Sequence, residues 1–204
     1  MDVAPEEVPP PRRPQHCLFG GSFDPVHRGH LAMAEAARRQ AGMERVIFLP
    51  CHQSPHKAGR PPLEAEKRLE LLEMALDGLP WATLSTFELV RPGPSFSWET
   101  ATHFSRLLPD VELCWLLGGD QWAALERWSH PEILARLLHF IVLPRAGHPA
   151  GPKAGFRATI LPDFHHPASA TAVRDAAAKG DADTVRALTP PAVAEAILQR
   201  GYYR

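Results

Sequence analysis

Short apolar runs alternate with amphipathic segments along nearly the whole of this chain. The runs typical of buried strands cover residues 17–19, 45–49, 111–117, 139–143 and 158–161, with a further candidate strand at 83–89. The segments that we interpret as helices cover residues 29–41, 64–76, 97–108, 171–179 and 190–200. Strands that alternate with helices form parallel sheets covered on both faces. The sequence therefore predicts an α/β fold, a Rossmann-like, doubly wound, mostly parallel sheet with C-terminal helices.

Length and charge limit the possible organisation and partners. The chain has 204 residues, 45% of them hydrophobic, and a formal net charge of -1 at pH 7. That length suits one domain with a substantial core, which we assign to residues 15–204. Residues 1–14 are rich in proline and charge, which predicts a flexible tail. The near-neutral charge argues against a nucleic-acid partner, because proteins that coat DNA or RNA are strongly basic.

The cysteines and the apolar runs indicate a compartment. Cys17, Cys51 and Cys114 are odd in number, scattered, and set in apolar, strand-like surroundings. This pattern predicts buried thiols in a reducing compartment rather than a disulfide framework. No apolar run approaches the length of a membrane span, and no signal-peptide pattern opens the chain. We therefore expect a cytoplasmic protein without a membrane partner.

The segment from Cys17 to His30 combines a strand, a glycine turn and the start of a helix. Gly20 and Gly21 have no Cβ, so the backbone there can approach a bulky anion and adopt a positive φ. The helix that follows directs its unpaired N–H groups and its positive dipole end to the same place. His27 and His30 lie one turn apart, so both imidazoles can face one phosphate chain. These features together predict a nucleotide phosphate site.

Two simpler interpretations of this segment stay open. A glycine pair after a strand is usually just a tight turn. A His-x-x-His pair can also be half of a metal site, with His52 or His56 as the third ligand. Structural zinc usually takes cysteine pairs, and catalytic zinc needs a well-spaced third ligand. The phosphate site is therefore favoured, and we expect no metal held by the protein alone.

The residues from Gly20 to His30 resemble the Gly-Gly-Ser-Phe-Asp-Pro-Val-His-x-Gly-His signature of the nucleotidylyltransferase superfamily. Within it, the spelling of residues 22–26 is similar to that of the bacterial nicotinate mononucleotide adenylyltransferases of NAD synthesis. The resemblance implies that nicotinate mononucleotide and ATP are the substrates, with magnesium bound through the ATP phosphates. It also implies a substrate contact at Asp24 and ATP contacts at Gly20, Gly21, Ser22, Phe23, His27 and His30.

A lysine follows the second predicted strand. Lys57 lies in a loop stiffened by prolines, at the same edge as the histidine helix, where a cation can neutralise a phosphate. Taken alone, such a lysine is usually a solvated surface charge. The loop resembles a Pro-His-Lys element of the family, which implies contacts to phosphate and a catalytic role for Lys57.

Another group of candidates surrounds the strand at 111–117. Gly118 and Asp120 end that strand, where a carboxylate suits ribose hydroxyls, although a turn with Asp120 as helix N-cap is the structural alternative. Either Ser95 or Ser97 is a candidate N-cap of the helix at 97–108. Tryptophans such as Trp128 are more often core residues than ligand platforms. The resemblance implies that Gly118 and Asp120 bind ATP and that the nicotinate ring is held by Trp128, Ser97 and Ser129.

The helix at 171–179 begins with hydroxyl groups. Ser169 and Thr171 can cap this helix or hold phosphate oxygens, and Arg174 is a fork donor one turn inside it. The resemblance implies ATP contacts for all three, but Ala170 replaces a serine of the family. Arg145, after the strand at 139–143, is implied as a contact to the mononucleotide phosphate, and a surface arginine is an equal alternative.

The implied reaction needs no general base, because the phosphate of the mononucleotide is already an oxyanion. Catalysis then consists of positioning and of neutralising the charge on the phosphates. We assign this role to His27, His30, Lys57 and Arg174. Two alternatives stay open: the same chemistry on another acceptor such as nicotinamide mononucleotide, and a nucleotide sensor without turnover. The sequence leaves the oligomeric state undecided.

Overall fold

Six strands and eight helices form within the residues that a computed structural model describes, which are 13–51, 62–91, 93–144 and 150–204. The strands are β1 (Gln15–Gly21), β2 (Arg45–Pro50), β3 (Ala82–Leu84), β4 (Glu112–Gly118), β5 (His139–Leu143) and β6 (Ala158–Ile160). The helices are α1 (Arg28–Ala41), α2 (Ala65–Leu76), α3 (Ser97–Leu107), α4 (Gly119–Ala124), α5 (Pro131–Leu137), α6 (Ala170–Lys179), α7 (Ala182–Leu188) and α8 (Pro191–Arg200). A 3₁₀ turn, Leu125–Arg127, lies between α4 and α5.

All six strands pair in parallel, in the order β3-β2-β1-β4-β5-β6. In the centre, Cys17 of β1 lies opposite Val46 of β2 on one side and Cys114 of β4 on the other. The strand order reverses between β1 and β4, and doubly wound sheets bind ligands beyond the carboxyl ends of the strands at such a reversal. The predicted fold class is confirmed, including its parallel sheet and C-terminal helices.

Side chains alternate across the strands, so the sheet covers two apolar layers. Cys17 and Phe19 of β1 pack in the layer that contains α1, α2, α6, α7 and α8. Leu18 of β1 and Trp115 of β4 pack in the opposite layer, with α3, α4 and α5. Both faces of the sheet are therefore buried, and its carboxyl edge is left for a site.

The three cysteines are buried and form no disulfide, as predicted. Burial raises the pKa of the Cys17 thiol well above its usual range and that of Cys114 to about 12. These two thiols stay protonated near neutral pH and are not nucleophiles. Among the described residues, no helix is both long enough and apolar enough to cross a bilayer.

The predicted strand at 83–89 is wrong beyond Leu84. β3 pairs with β2 alone, and the chain then turns at Thr86, whose carbonyl accepts a hydrogen bond from the Leu89 N–H at 2.8 Å. The predicted N-cap is also wrong, because Phe96 occupies that position without a side-chain hydrogen bond. The hydroxyl of Ser95 donates to the Glu88 carbonyl instead. The short helices α4, α5 and α7 were not predicted.

Most of the predicted tail, residues 1–12 of 1–14, lies outside the described residues. The carbonyl of Pro14 accepts a hydrogen bond from the Glu112 N–H at 2.9 Å. This hydrogen bond belongs to the first position of the pairing of β1 with β4, at which Gln15 lies opposite Glu112.

Candidate active site

A cavity of about 590 Å³ opens where β1 and β4 end, at the reversal of strand order. Nine of the predicted site residues line it: Gly20, Gly21, Ser22, His30, Ser97, Gly118, Asp120, Trp128 and Ser129. Six others are described and do not line it: Phe23, Asp24, His27, Ser169, Thr171 and Arg174. Lys57 and Arg145 lie outside the described residues, as do His52 and His56.

The two histidines form the first turn of α1, as predicted. His27 is the N-cap and His30 is the third helical residue, and their rings stack with centroids 3.7 Å apart. The backbone N–H of His27 donates to Nδ1 of His30 at 3.3 Å. A ring nitrogen that accepts carries no proton, so the proton of the neutral His30 ring is on Nε2. Nε2 is therefore the His30 atom that can donate to a ligand in the cavity.

The N-terminal ends of α1 and α6 lie side by side. A Cβ added to Gly29 would lie only 2.9 Å from the backbone oxygen of Ala168, the residue before the N-cap of α6. That added Cβ would also lie 2.9 Å from Nδ1 of His27. Because Gly29 has no Cβ, the backbone at the start of α1 can lie close to the backbone of Ala168. Two sets of helix N–H groups and two positive dipole ends meet here, which favours an anion.

The glycine pair provides space rather than an unusual backbone conformation. A Cβ on Gly20 would lie 3.2 Å from the Trp115 ring, and one on Gly21 would lie 3.3 Å from the Phe23 ring. The expected positive φ is not found at the pair but at Phe23, where φ is 43°. This conformation is rare for a bulky residue. The ring of Phe23 is buried against that of His30, with centroids 4.9 Å apart.

The carboxyl of Asp24 is engaged by the protein itself. Asp24 is 8% exposed, and its Oδ1 accepts hydrogen bonds from the Leu63 N–H at 3.1 Å and the Tyr203 hydroxyl at 2.8 Å. Its carbonyl accepts from Nη1 of Arg174 at 2.7 Å. The predicted contact between Asp24 and substrate stays a prediction, and the same applies to Arg174.

The hydroxyl groups at the start of α6 have partners within the helix. Oγ of Ser169 accepts a hydrogen bond from the Ala172 N–H at 3.1 Å, which makes Ser169 the N-cap. Oγ1 of Thr171 accepts from Nη2 of Arg174 at 3.2 Å. The structural interpretation of Ser169 is therefore confirmed, and the ATP contacts of Ser169 and Thr171 stay predictions.

Arg68 was missed by the sequence analysis. It is 1% exposed, and its guanidinium donates to the carbonyls of Leu63 at 2.8 Å, Ser22 at 2.5 Å and Cys51 at 3.0 Å. One buried cation thus joins the loop after β1 to the end of β2 and to the segment before α2. A signal for it exists in the sequence. Position 68 lies on the same helical face as the buried positions 71, 72 and 75, so an arginine there is expected to be buried.

Glu88 is a second missed residue, and it lines the cavity. It is 6% exposed, and its Oε1 accepts a hydrogen bond from the Thr100 hydroxyl at 2.7 Å. Burial raises the pKa of Glu88, while the Thr100 hydrogen bond and the charge of Arg91 oppose the shift. Glu88 falls within the strand predicted at 83–89, where nothing in the sequence marks it as a site residue.

The far wall of the cavity presents an aromatic surface. Trp128 is half-buried and meets the Trp115 ring edge-on, with centroids 6.5 Å apart. Ser97, which is the first residue of α3, and Ser129 also line the cavity. A flat ring can stack on an indole, and hydroxyl and N–H groups can receive a carboxylate. Arg127 and Gln121 line the cavity too and were not predicted.

Comparison with known proteins identifies the family. The sequence profile described as cytidylyltransferase-like matches residues 18–182. A Gloeobacter violaceus protein named probable nicotinate-nucleotide adenylyltransferase is 37% identical and aligns over 91% of this chain and 94% of its own length. One of the same name from Synechococcus sp. (strain JA-3-3Ab) is 36% identical over 96% of this chain and 97% of its own. This chain belongs to the nicotinate-nucleotide adenylyltransferase family.

A solved structure supports the fold of this family member. The nicotinic acid mononucleotide adenylyltransferase of Plasmodium falciparum, complexed with NaAD, superposes with a TM-score of 0.77. The match covers 93% of this chain and 97% of that chain, at 17% sequence identity. The membership of this family that the sequence resemblance predicted is confirmed, and the chain is a nucleotidyltransferase.

Proposed function

We propose that this chain transfers the adenylyl group of ATP to nicotinate mononucleotide in NAD biosynthesis. An oxygen of the mononucleotide phosphate attacks the α-phosphorus of ATP, the bond between that phosphorus and the bridging oxygen breaks, and pyrophosphate leaves. The products are nicotinate adenine dinucleotide and pyrophosphate. The observation that carries this proposal is the cavity at the strand reversal, lined by His30 and Trp128, in a member of this family.

Catalysis on this proposal is positioning together with neutralisation of phosphate charge. His30 donates from Nε2 to the α-phosphate or to the leaving oxygen. His27 supports it, because the two rings stack and His27 caps the helix. Lys57 and Arg174 are the proposed cations. The neighbouring starts of α1 and α6 add N–H groups that favour the phosphates.

The proposed contact residues divide between the two substrates. For ATP we propose Gly20, Gly21, Ser22, Phe23, His27, His30, Gly118, Asp120, Ser169, Thr171 and Arg174. For nicotinate mononucleotide we propose Asp24, Lys57, Ser97, Trp128, Ser129 and Arg145. The lining of the cavity by nine of these residues supports the assignment.

Magnesium is the proposed cofactor, held mainly by the ATP phosphates. Magnesium prefers oxygen ligands, keeps several waters and binds through substrate phosphates with few protein carboxylates. The acidic residues lining the cavity within the described part of the chain are Glu88 and Asp120, and that part contains no group of three His, Cys, Asp or Glu side chains able to hold a metal. This donor set fits an ion that arrives with ATP. When bound, the ion neutralises charge on the triphosphate.

We further propose a cytoplasmic location and small-molecule partners only. The absence of a disulfide among the cysteines is in keeping with a reducing compartment. The near-neutral net charge is in keeping with a substrate bound by local donors, without a nucleic-acid partner.

Selectivity between two mononucleotides tests the proposed function. Nicotinate and nicotinamide differ by a carboxylate against an amide of nearly the same shape, so stacking on Trp128 does not separate them. Donors at Ser97 and after Trp128 favour the carboxylate, because charge-assisted hydrogen bonds are roughly twice as strong as neutral ones. We expect the acid to be preferred by about tenfold to a thousandfold in kcat/KM.

Pyrophosphate release with ATP and each mononucleotide measures this ratio. Ser97→Ala should narrow it, whereas Trp128→Ala should lower kcat/KM for both substrates. His30→Ala should lower kcat by about a hundredfold with an unchanged circular dichroism spectrum. Equal kcat/KM for the two mononucleotides in the unaltered protein contradicts the nicotinate assignment.

A further inference from the structure

The C-terminal segment reaches back to the loop that follows β1. The hydroxyl of Tyr203 donates to Oδ1 of Asp24 at 2.8 Å, across 179 positions of sequence. Both residues are buried, Tyr203 at 6% exposure. Burial and the neighbouring Asp24 carboxylate raise the pKa of Tyr203, so the phenol keeps its proton and acts as the donor. A buried hydrogen bond to an ionised partner is among the stronger ones in proteins.

Asp24 joins this contact to two other segments. Its Oδ1 also accepts from the Leu63 N–H, just before α2, and its carbonyl accepts from Arg174 of α6. The loop after β1 is thus fixed from three directions. Tyr203 is the member of this set that the C-terminal segment contributes.

The fixed loop contacts the ring of His30 through Phe23. Phe23, directly before Asp24, has a φ of 43°, which a bulky residue holds only when its surroundings impose it. The Phe23 ring packs against the His30 ring, 4.9 Å between centroids. His30 in turn lines the cavity. Asp24, Phe23 and His30 thus form a continuous chain of contacts from the C-terminal segment to the cavity.

We propose that the Tyr203 hydroxyl is a positioning group for adenylyl transfer, acting through Asp24 and Phe23 on His30. This inference rests on the proposed function for its effect on turnover. Asp24 acts here as a positioning residue in addition to its proposed substrate contact, because its Oδ1 accepts hydrogen bonds from two protein donors. Neither Tyr203 nor Asp24 is among the residues that line the cavity, which is in keeping with an effect passed on through Phe23.

The test compares Tyr203→Phe with Tyr202→Phe. The first variant keeps the buried ring and removes only the hydroxyl. The second is the matched control, because the hydrogen bond that the Tyr202 hydroxyl accepts from Arg200 lies at the exposed surface. For Tyr203→Phe we expect kcat to fall about tenfold, KM for ATP to stay within about twofold, and Tm to fall by about 2–8 °C. Tyr202→Phe should match the unaltered protein.

A spectroscopic readout separates this proposal from the proposed function. In nitrogen-15 NMR of the histidine side chains, with His30→Ala used for assignment, Tyr203→Phe should shift the His30 resonances and Tyr202→Phe should not. Asp24→Asn should shift the same resonances, and it replaces Tyr203→Phe if that variant does not fold. Unmoved His30 resonances together with an unchanged kcat overturn the proposal. Absence of turnover in the unaltered protein contradicts the proposed function only.

Discussion

At Gly29, the backbone of α1 lies so close to Ala168 that a methyl group does not fit. A glycine inside a helix usually costs about 1 kcal/mol relative to alanine. Here the added Cβ would meet a backbone oxygen at 2.9 Å, which cannot move as a flexible side chain can. Packing therefore favours glycine at this position, whereas helix propensity favours alanine. The larger of the two effects decides whether the substitution stabilises or destabilises the protein.

We predict that Gly29→Ala destabilises the protein by about 1–3 kcal/mol, the usual cost of overpacking. It should also lower kcat, because the starts of α1 and α6 are pushed apart. Urea unfolding and pyrophosphate release measure the two effects. Gly151→Ala is the control, since a Cβ there meets nothing within 4 Å. A Gly29→Ala variant more stable than the unaltered protein would show that the contact yields easily.

The buried carboxyl of Glu88 lowers the stability of the folded protein by an amount that depends on pH. Burial raises its pKa, so the folded protein binds this proton more tightly than the unfolded chain does. The penalty is absent below about pH 4, near the ordinary pKa of glutamate, and grows as pH rises through the raised value. The carboxyl is retained in spite of this cost, in contact with Thr100.

We predict that Glu88→Gln becomes progressively more stable relative to the unaltered protein as pH rises from about 4 to 8. Glutamine keeps an oxygen that can accept from Thr100 but carries no charge. The free energy of unfolding in urea, measured for both proteins at each pH, gives the difference, and subtraction removes the other carboxyls. A difference that stays constant over this range contradicts the raised pKa.

At the scale of elements, Arg68 joins β1, β2 and α2. Its three carbonyl acceptors belong to Leu63, Ser22 and Cys51, and each of them loses this donor when the guanidinium is removed. An unsatisfied buried acceptor costs about 1–3 kcal/mol. The edge of the sheet that carries the cavity therefore depends on one side chain of α2.

We predict that Arg68→Met lowers Tm by about 6–12 °C, which corresponds to a loss of roughly 3 kcal/mol in a chain of this size. Lys67→Met on the same helix is the control, because Lys67 is partly exposed and its ammonium meets the exposed Glu64 and the Tyr202 ring at the surface rather than buried carbonyls. Differential scanning calorimetry gives both values. Equal Tm changes in the two variants would argue against the role of Arg68.

The elements that the sequence predicted correctly have strong local signals. The apolar runs of β2, β4 and β5 and the long helices α1, α2 and α3 were found because periodicity marks them. β3 was predicted too long, since only pairing with β2 ends it at Leu84. The helices α4, α5 and α7 have six or seven residues each, too few for a clear period.

The same division holds within the site. The segment from Gly20 to His30 is continuous in sequence, so its strand, turn and helix could be predicted together. Arg68 and Tyr203 act through contacts 46 and 179 positions away along the chain, which spacing does not show. The contact between Gly29 and Ala168 likewise exists only once α6 has packed against α1.

At the scale of the whole molecule, the three thiols sit at different depths. Cys17 and Cys114 are 0% exposed on neighbouring strands, whereas Cys51 is 8% exposed and lines the cavity. A reagent reaches the first two only when the sheet opens, which requires global unfolding. Modification of Cys51 needs only entry to the cavity.

We predict that Ellman's reagent modifies one thiol quickly and two slowly in the folded protein. ATP should slow the fast phase, because it occupies the cavity that Cys51 lines. Cys51→Ser should remove the fast phase and leave the slow one, which is the control. Equal rates for all three thiols, or a fast phase that ATP does not alter, would contradict this prediction.

We expect the hydrogen bond between Tyr203 and Asp24 to form late when this molecule folds. Closing a chain segment costs entropy that grows with its length, so nearby contacts form before distant ones. The pairing of β1 with β2 spans about thirty positions, whereas the contact of Asp24 with Tyr203 spans 179. A chain in which β1 and β2 have paired already contains the histidines of α1, which lies between those strands in the sequence. We therefore expect the ring of His30 to reach its final position only after the C-terminal helices have docked, so that catalytic competence follows the formation of the sheet.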